Sequence, residues 1–337
     1  MSSVFEIFVP DRIGDAILSV PALVCLKQLQ QTYRPTLDKV RLYVPRSVHS
    51  VFTALNLFET RVLKPSDKLR SWLQPADHAV FLYSSHQYWG FYAKQTYGWK
   101  NPAKRLLHFT NHLPYLKLEH CERELPAALV RFLKENHGFS TASIRYFGLC
   151  LTLGYTLDQV LEVFEWDPEQ VAVRKPKYPS VNIAGAYFVF CIEASYGSKR
   201  ETQRRWDADD FVTLAQRVYQ TLQIPVVFIG LDTHTPLPNT SYFYDLRGKL
   251  SMDEVFGLLQ HAQGYAGNDS GPLHLANLAQ THTFGVYLST TPENYGPIFP
   301  HRHFSLQNPS TSQEALESFT DWLNELGGGL ALEKRLF

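Results

Sequence analysis

The sequence predicts an α/β protein made of two units, each with parallel strands that alternate with helices. Short apolar runs, typical of strands buried on both faces, alternate with segments in which apolar residues recur at helical spacing. The alternation stops at residues 166–185, where prolines stand among basic residues, and then begins again. A chain of 337 residues is long enough for two domains with separate hydrophobic cores.

Composition narrows the class of protein. A hydrophobic content of 45% and a charged content of 19% are typical of a globular protein in water. The formal net charge is zero, so the protein has no overall positive charge that would attract nucleic acid. No nucleic-acid partner is therefore expected. No apolar run reaches about 18 residues, and no signal peptide begins the chain, which favours a cytoplasmic protein. The four cysteines lack zinc spacing and are expected to be reduced thiols.

The first strand is predicted at residues 4–9 and is followed by a turn that contains Gly14 and Asp15. Asp15 therefore falls at the carboxyl end of a strand, the edge where open α/β sheets bind ligands. The alternative is that Asp15 only caps the next helix. Later elements of the N-terminal half are predicted as strands at 40–44 and 79–82 and as helices at 48–57, 123–137 and 151–164.

A basic and aromatic tract occupies residues 86–109, within a stretch that has no acidic residue. Aromatic rings stack on the apolar faces of sugars, and ammonium groups bind phosphates, so the tract suits an anionic glycan. Lys94 and Lys104 are its candidate acceptor contacts. The alternative is that the rings belong to the core and the lysines are solvated, and the sequence leaves both interpretations open.

The C-terminal half begins with a strand predicted at 187–192, and a loop of small residues with Ser195 follows it. After Arg204-Arg205-Trp206, Asp207 is the expected cap of a helix. Asp232 ends the next strand, where a carboxylate commonly binds ribose hydroxyls in nucleotide-binding domains. Further elements are predicted as a helix at 252–260 capped by Ser251, a strand at 283–288 and a helix at 312–326 ended by three glycines.

The most informative stretch is residues 265–279, which predicts a strand, a turn and a helix. Asp269 or Ser270 is the expected N-cap, and Gly271 lets another group approach the backbone closely. The partial positive charge of a helix N-terminus suits a phosphate, and His274 lies about one turn into the helix. An ordinary capped helix is the alternative.

Four motifs, in this order along nearly the whole chain, resemble glycosyltransferase family 9, the ADP-heptose:lipopolysaccharide heptosyltransferases. They are I-G-D-x5-P-x-L at 13–23, R-R-W at 204–206, D-S-G-x-x-H at 269–274 and P-E-N-Y-G-P at 292–297. The chain departs from the family where Asp207 replaces the usual proline and Arg205 stands for a lysine. Arginine still binds diphosphate, and can do so bidentately.

The resemblance implies a GT-B fold, in which two Rossmann-like domains face each other across a central cleft. It places an acceptor-binding domain at 1–170, a linker at 171–184 and a nucleotide-sugar-binding domain at 185–311. The C-terminal helix and tail, at 312–337, are expected to pack back on the N-terminal domain.

The activity that the resemblance implies is inverting transfer of a heptose from an ADP-sugar to a lipopolysaccharide core or similar anionic glycan. The donor is a co-substrate, and neither a metal nor another cofactor is expected. The acceptor would be lipid-linked, at the cytoplasmic face of the membrane, with the enzyme in the cytoplasm or peripheral to that face. Another nucleotide-sugar, a protein acceptor and a catalytically silent GT-B-like binding protein remain as alternatives.

Site residues follow by motif position. Asp15 resembles the general base that deprotonates the acceptor hydroxyl, while Arg205 takes the donor-phosphate position. Asp232 stands where a carboxylate holds the ribose, and Leu250 lies near the adenine pocket. The remaining donor-binding candidates are Ser195, Asp269, Ser270, Gly271 and His274, and the acceptor-binding candidates are Arg12, Gly14, Lys94 and Lys104.

Overall fold

A computed structural model describes residues 5–33, 39–64, 66–67, 78–82, 107–108, 125–167, 171, 183, 185–194 and 201–333. The chain divides into two compact units, Met1–Arg174 and Lys175–Phe337. The division falls inside the segment that the sequence predicts as a linker. Each unit contains one parallel sheet, so the α/β prediction is confirmed.

The first unit contains a five-stranded sheet in the order β3-β2-β1-β4-β5, and every described pair of neighbours is parallel. This is the Rossmann order, and its direction reverses between β1 and β4. Phe8 of β1 is fully buried and stacks on the ring of Tyr43 in β2. The strands are β1 Phe5–Phe8, β2 Val40–Val44, β3 Glu59–Val62, β4 His78–Phe81 and β5 Leu107–His108.

Two helix ends in the first unit have a local cause in the sequence. Two helices follow β1, because the chain turns at Ser19, whose hydroxyl donates to the carbonyl of Ala16. Gly138 ends the fourth helix in the left-handed conformation that glycine favours. The helices are α1 Ile13–Leu18, α2 Val20–Tyr33, α3 His49–Leu55, α4 Ala127–His137, α5 Thr141–Ile144, α6 Gly148–Thr152 and α7 Leu157–Val163.

The second unit contains a six-stranded sheet in the order β11-β10-β9-β6-β7-β8, again parallel throughout. The order reverses between β6 and β9, and the crevice outside the carboxyl ends of these strands is where such sheets bind ligands. The strands are β6 Phe188–Cys191, β7 Val226–Phe228, β8 Phe243–Asp245, β9 Gly264–Asn268, β10 Thr283–Tyr287 and β11 His303–Gln307.

Two helix starts in the second unit agree with the predicted caps. Asp207 accepts a bond from the Asp209 N–H at 2.7 Å, and Ser251 forms a reciprocal capping box with Glu254. The helices are α8 Glu201–Arg204, α9 Ala208–Leu222, α10 Met252–His261, α11 Gly271–Leu278, α12 Pro292–Tyr295 and α13 Ser312–Glu333.

The last helix covers the sheet of its own unit. Its buried residues, among them Phe319 and Trp322, join the core of the second unit beside Phe188 and Phe284. An apolar helix face has to be buried, and the core of this unit buries it. The expectation that the C-terminal helix and tail pack back on the N-terminal domain stays a prediction.

The three glycines do not end α13, which continues to Glu333. A Cβ on Gly327 would lie 3.2 Å from Cδ2 of Leu222, at the end of α9. Gly327 therefore allows two helices to approach closely. The prediction that the three glycines end the helix is therefore wrong, because Gly327 serves helix packing.

Candidate active site

The turn between β9 and α11 lies at the carboxyl edge of the second sheet, beside the point where strand order reverses. We refer to residues 269–274 as the helix-start turn. Ser270 is the N-cap residue in an extended conformation, its side chain makes no capping bond, and Pro272 lies in the first turn of the helix. The helix N-terminus therefore carries its partial positive charge toward the crevice without a side-chain cap.

Asp269 is a buried carboxylate that holds this turn together. Its Oδ2 accepts bonds from Arg204 and from the Thr290 hydroxyl at 2.6 Å, and its Oδ1 lies 3.4 Å from Nε2 of His274. Burial, the largest influence, would raise the pKa of Asp269, but its bond with His274, the charge of Arg204 and the Thr290 bond outweigh it and lower the pKa. Asp269 is therefore ionised, and its bonds stabilise the conformation of the turn.

His274 offers a polar atom to a ligand. The side chain is 4% exposed, and its Nε2 faces Asp269. Its Nδ1 is buried and has no hydrogen-bond partner among the described residues. A buried polar atom without a partner is uncommon in a folded protein, so a ligand group at this turn would satisfy it, and a phosphate oxygen would do so when both ring nitrogens carry a proton.

Arg204 and Arg205 point to different strands. Arg204 donates to both the carboxylate and the carbonyl oxygen of Asp269, after β9. Arg205 pairs with Asp232, after β7, at 2.9 Å and donates to Thr235 Oγ1 at 2.6 Å. Arg204 was not among the predicted site residues, although it is the neighbour of Arg205, which was.

Asn268, which is fully buried, fixes the segment that carries both arginines. Its Oδ1 accepts the N–H of Trp206 at 2.8 Å, and its Nδ2 donates to the carbonyl of Ile192 at 3.1 Å. One side chain therefore ties the end of β9 to the end of β6 and to the start of α9. These bonds set the position from which the two arginine side chains extend.

The turn after β7 is organised around Asp232. Its carboxylate accepts bonds from the His234 and Thr235 N–H groups and from the Thr235 hydroxyl, in addition to the ion pair with Arg205. Burial, the largest influence, would raise the pKa of Asp232, but these bonds outweigh it and lower the pKa to about 2. Asp232 is ionised at neutral pH.

Glu193, at the end of β6, supports the same turn and was not among the predicted site residues. Its Oε2 accepts the N–H groups of Leu231 and Asp232 at 2.8 and 2.7 Å. Gly230 has a φ of +132°, and a Cβ there would lie 2.9 Å from Cδ of Glu193. The carboxylate thus packs against a backbone that only glycine can provide.

Arg247 closes this network from β8. Arg247 is 4% exposed. It binds Asp245 through two nitrogens and donates to the carbonyls of Asp232 and Thr235 at 2.9 Å. Three residues farther on, Leu250 is half-buried and directly precedes the cap of α10.

The segment that directly follows the P-E-N-Y-G-P motif is held against α11 by Asn277. The Asn277 amide donates to the carbonyl of Phe299 at 2.9 Å and accepts its N–H at 2.8 Å. Glu293 of this motif is exposed, whereas Ile298 and Phe299 are buried. The loop therefore has a fixed base beside the helix-start turn.

In the first unit, Asp15 lies in the first turn of α1, and Arg12 is the N-cap residue. The alternative interpretation of Asp15 as the helix cap is therefore wrong. Asp15 Oδ1 accepts a bond from Arg145 at 3.1 Å, and the same guanidinium nitrogen donates to the Tyr146 hydroxyl at 2.7 Å. Arg145 was not predicted, because nothing near it in sequence marks it as a partner of Asp15.

The model of glycosyltransferase family 9 (heptosyltransferase) matches residues 136–322, which is more than half of the chain. The chain belongs to glycosyltransferase family 9. The predicted family and the prediction of a glycosyltransferase are thereby confirmed. No protein with a curated function matches the sequence of this family-9 enzyme.

Solved structures agree with this assignment. A family-9 glycosyltransferase from Veillonella parvula matches at 14% identity and a TM-score of 0.60, covering 99% of this chain and 98% of the other. The E. coli ADP-heptose lps heptosyltransferase II matches at 16% identity and 0.61, covering 96% and 99%. E. coli heptosyltransferase WaaC with ADP matches at 14% identity and 0.59, covering 95% and 99%. The predicted fold class, two Rossmann-like domains of the GT-B type, is confirmed.

Some predicted site residues of the family-9 enzyme lie outside the described residues, namely Ser195, Lys94 and Lys104. The basic and aromatic tract at 86–109 does as well, except for residues 107–108. Arg12 is exposed, and Gly14 is half-buried in α1. Within the described ranges, no group of three or more His, Cys, Asp or Glu side chains could hold a metal ion. In the same ranges, every helix is too short or too polar to cross a membrane.

Proposed function

We propose that this glycosyltransferase transfers a heptose, or a related sugar, from an ADP-sugar to the core of a lipopolysaccharide or a similar anionic glycan. The observation that supports this most is the helix-start turn. There a helix N-terminus, a buried His274 nitrogen that has no partner in the described part of the chain, and the guanidinium of Arg204 occur together at the crevice of a Rossmann sheet.

On the donor side, the turn supplies what a diphosphate requires. Gly271 lets phosphate oxygens approach the backbone, and His274 adds a nitrogen. Asp269 would repel an anion, but Arg204 compensates its charge, so the helix N-terminus can act on the ligand. Arg205 adds a second guanidinium, and we assign Asp232 and Leu250 to the side of the nucleoside, where Ser195 would also contribute.

ADP is proposed as the nucleotide because similar structures contain ADP or are named for an ADP-sugar. Similar structures include an E. coli enzyme named for ADP-heptose and lipopolysaccharide, and a second E. coli heptosyltransferase with ADP. At 14–16% identity these relatives support the choice of nucleotide, and the donor panel below tests it.

On the acceptor side, we propose Asp15 as the general base. It removes the proton of an acceptor hydroxyl while the hydroxyl oxygen attacks the anomeric carbon of the sugar. The bond from that carbon to the diphosphate breaks, ADP leaves with the electron pair, and attack from the opposite face inverts the configuration. A positioned base typically contributes about 10²–10⁴-fold in rate. The bond from Arg145 orients the carboxylate for this step.

The leaving ADP gains negative charge, and we propose that protein groups stabilise it without a metal ion. Two guanidinium groups, Arg204 and Arg205, and one helix N-terminus lie at the carboxyl edge of this sheet. Preorganised groups of this kind need no reorganisation when the charge develops. No other cofactor enters the proposal.

Contacts to the acceptor are proposed for Arg12, Gly14, Lys94 and Lys104. Basic side chains would bind the phosphates of an anionic glycan whose lipid part stays in the membrane. The enzyme would then work in the cytoplasm or peripherally at the inner face of the membrane, with no nucleic-acid partner.

The test combines a donor panel with two variants. ADP-, UDP- and GDP-sugars are compared for the increase that each causes in the unfolding midpoint, and ADP release is followed with a lipopolysaccharide acceptor. ADP-heptose should give the largest shift, and Asp15→Asn should abolish transfer while donor binding remains. Asp158→Asn, an exposed aspartate in the first turn of α7, is the control. Full transfer by Asp15→Asn, or a larger shift with a UDP-sugar, would contradict the proposal.

A further inference from the structure

Both the side chain and the backbone of Asp232 bond to other groups of the protein. Its two carboxylate oxygens accept four bonds, from the His234 N–H, the Thr235 N–H, the Thr235 hydroxyl and Arg205. A carboxylate offers about four acceptor positions, so these partners occupy them. The backbone of Asp232 is also used, since its N–H donates to Glu193 and its carbonyl accepts from Arg247.

Burial within the Asp232–Arg205 pair is unequal. The Asp232 side chain is 6% exposed, whereas that of Arg205 is 22% exposed. The carboxylate of Asp232 therefore lies below the protein surface. The guanidinium of Arg205 is the part of the pair that a ligand can reach more easily. A ribose hydroxyl would have to displace an ionic or short hydroxyl bond before Asp232 could accept from it.

We propose that Asp232 and Thr235 act on the donor through Arg205, as positioning residues that aim its guanidinium at the diphosphate. This rests on the proposed function and adds a second role to the one that the resemblance implies for Asp232. Thr235 is the link that the sequence did not indicate. Its hydroxyl accepts from Arg205 at 2.6 Å and donates to Asp232 at 2.6 Å.

The arrangement has a physical advantage. An arginine side chain has many rotamers, and holding it in one of them before the ligand arrives removes that entropy cost from binding. A planar guanidinium whose orientation is fixed meets phosphate oxygens in a fixed geometry.

The experiment separates the two roles of Asp232 by using two ligands, ADP and inorganic pyrophosphate. Pyrophosphate has the phosphates but no ribose, and both dissociation constants are measured by calorimetry. If Asp232 acts through Arg205, Asp232→Asn weakens pyrophosphate as well as ADP, by about tenfold. If Asp232 acts only on the ribose, ADP alone weakens, and the proposal is overturned. Unchanged affinity for both ligands also overturns it.

Two further comparisons exclude a merely structural loss. Thr235→Val should weaken both ligands and Thr235→Ser should not, because serine keeps the hydroxyl. In the Arg205→Gln background, Asp232→Asn should cause no additional loss for pyrophosphate, whereas additive losses would overturn the proposal. Asp209→Asn, an exposed carboxylate at the start of α9, is the control. If Asp232→Asn does not fold, the two threonine variants decide the question.

The unsubstituted enzyme distinguishes failure of this inference from failure of the proposed function. Binding of pyrophosphate without ADP would contradict the proposed nucleotide, and the losses measured with pyrophosphate would still decide whether Asp232 acts through Arg205. Binding of neither ligand would contradict both proposals.

Discussion

Arg204 and Asp269 form an ion pair between residues 65 positions apart, and this pair joins the end of α8 to the helix-start turn. Asp269 is buried and ionised, so it needs a cation nearby. Arg204 therefore has two tasks, since it stabilises the turn and cancels the negative charge that would repel a diphosphate.

Arg204→Met should weaken ADP binding at least tenfold and lower the unfolding midpoint, because a buried carboxylate loses its partner. The double variant with Asp269→Asn should regain part of the stability. Gln203→Met, an exposed neighbour on α8, should change neither quantity. Calorimetry and thermal unfolding measure both effects, and unaltered ADP affinity in Arg204→Met would refute the role at the diphosphate.

Arg145→Met should lower kcat by about ten- to a hundredfold, because Asp15 loses the bond that orients it. The dissociation constant of ADP should stay the same, since Arg145 and the helix-start turn belong to different units. Arg131→Met, an exposed arginine on α4, is the control. Steady-state rates of ADP release give the answer, and a loss of ADP affinity with unchanged kcat would be the opposite of this expectation.

Gly230→Ala should destabilise the enzyme by roughly 1–3 kcal/mol, which corresponds to a few degrees in the unfolding midpoint. The cause is both the positive φ and the close approach to Glu193. Gly185→Ala is the matched control, because Gly185 also has a positive φ but nothing within 4 Å of a Cβ. Equal losses in the two variants would show that the contact with Glu193 contributes nothing.

The glycines of α13 should respond differently to alanine. Gly328 has open space around a Cβ, so Gly328→Ala should stabilise by up to roughly 1 kcal/mol through helix propensity. Gly327→Ala should give no such gain, because the Cβ meets Leu222. In the Leu222→Ala background the gain should appear. Thermal unfolding of the four variants checks this, and equal stabilisation by both single changes would contradict the packing role of Gly327.

His303 should make stability depend on pH. Burial is the main cause that lowers its pKa from 6.5 to about 3, and the ring lies between the hydroxyls of Thr283 and Tyr287. Below pH 6.5 the unfolded chain binds a proton that the folded chain does not, so stability is lost as the pH falls from 6.5 toward 3.

The expected contribution of His303 is about 1.4 kcal/mol per pH unit in that range. His303→Gln should reduce the slope of unfolding free energy against pH by this amount, whatever its effect on stability at neutral pH. His261→Gln, an exposed histidine at the end of α10, is the control. Denaturant titrations between pH 7 and pH 4 measure the slopes, and identical slopes would contradict the prediction.

The strands were predictable because burial on both faces leaves a local signal. Residues 40–44 are the clearest case, since the predicted and the observed strand coincide. Caps were predictable because they also depend on neighbours along the chain. Ser251 and Glu254 are three residues apart, and their bonds are local. The helix-start turn was recognisable from Asp269 to His274 because glycine, proline and the cap follow one another directly.

Long-range partners left no such signal. Arg145 is 130 residues from Asp15, and nothing around it differs from an ordinary basic residue. Gly327 was mistaken for a stop because a glycine that ends a helix and one that lets helices approach look alike in sequence.

By itself, the sequence determined the alternation of strands and helices, the turns at their ends and the family, because these depend on neighbours along the chain and on ordered motifs. Only the tertiary structure decided which charges meet. The pairing of Arg204 with Asp269, of Arg205 with Asp232 and of Arg145 with Asp15 depends on how strands are ordered in a sheet. That order brings together groups far apart in sequence, and the strength of each pair depends on distance and burial, which exist only in the folded chain.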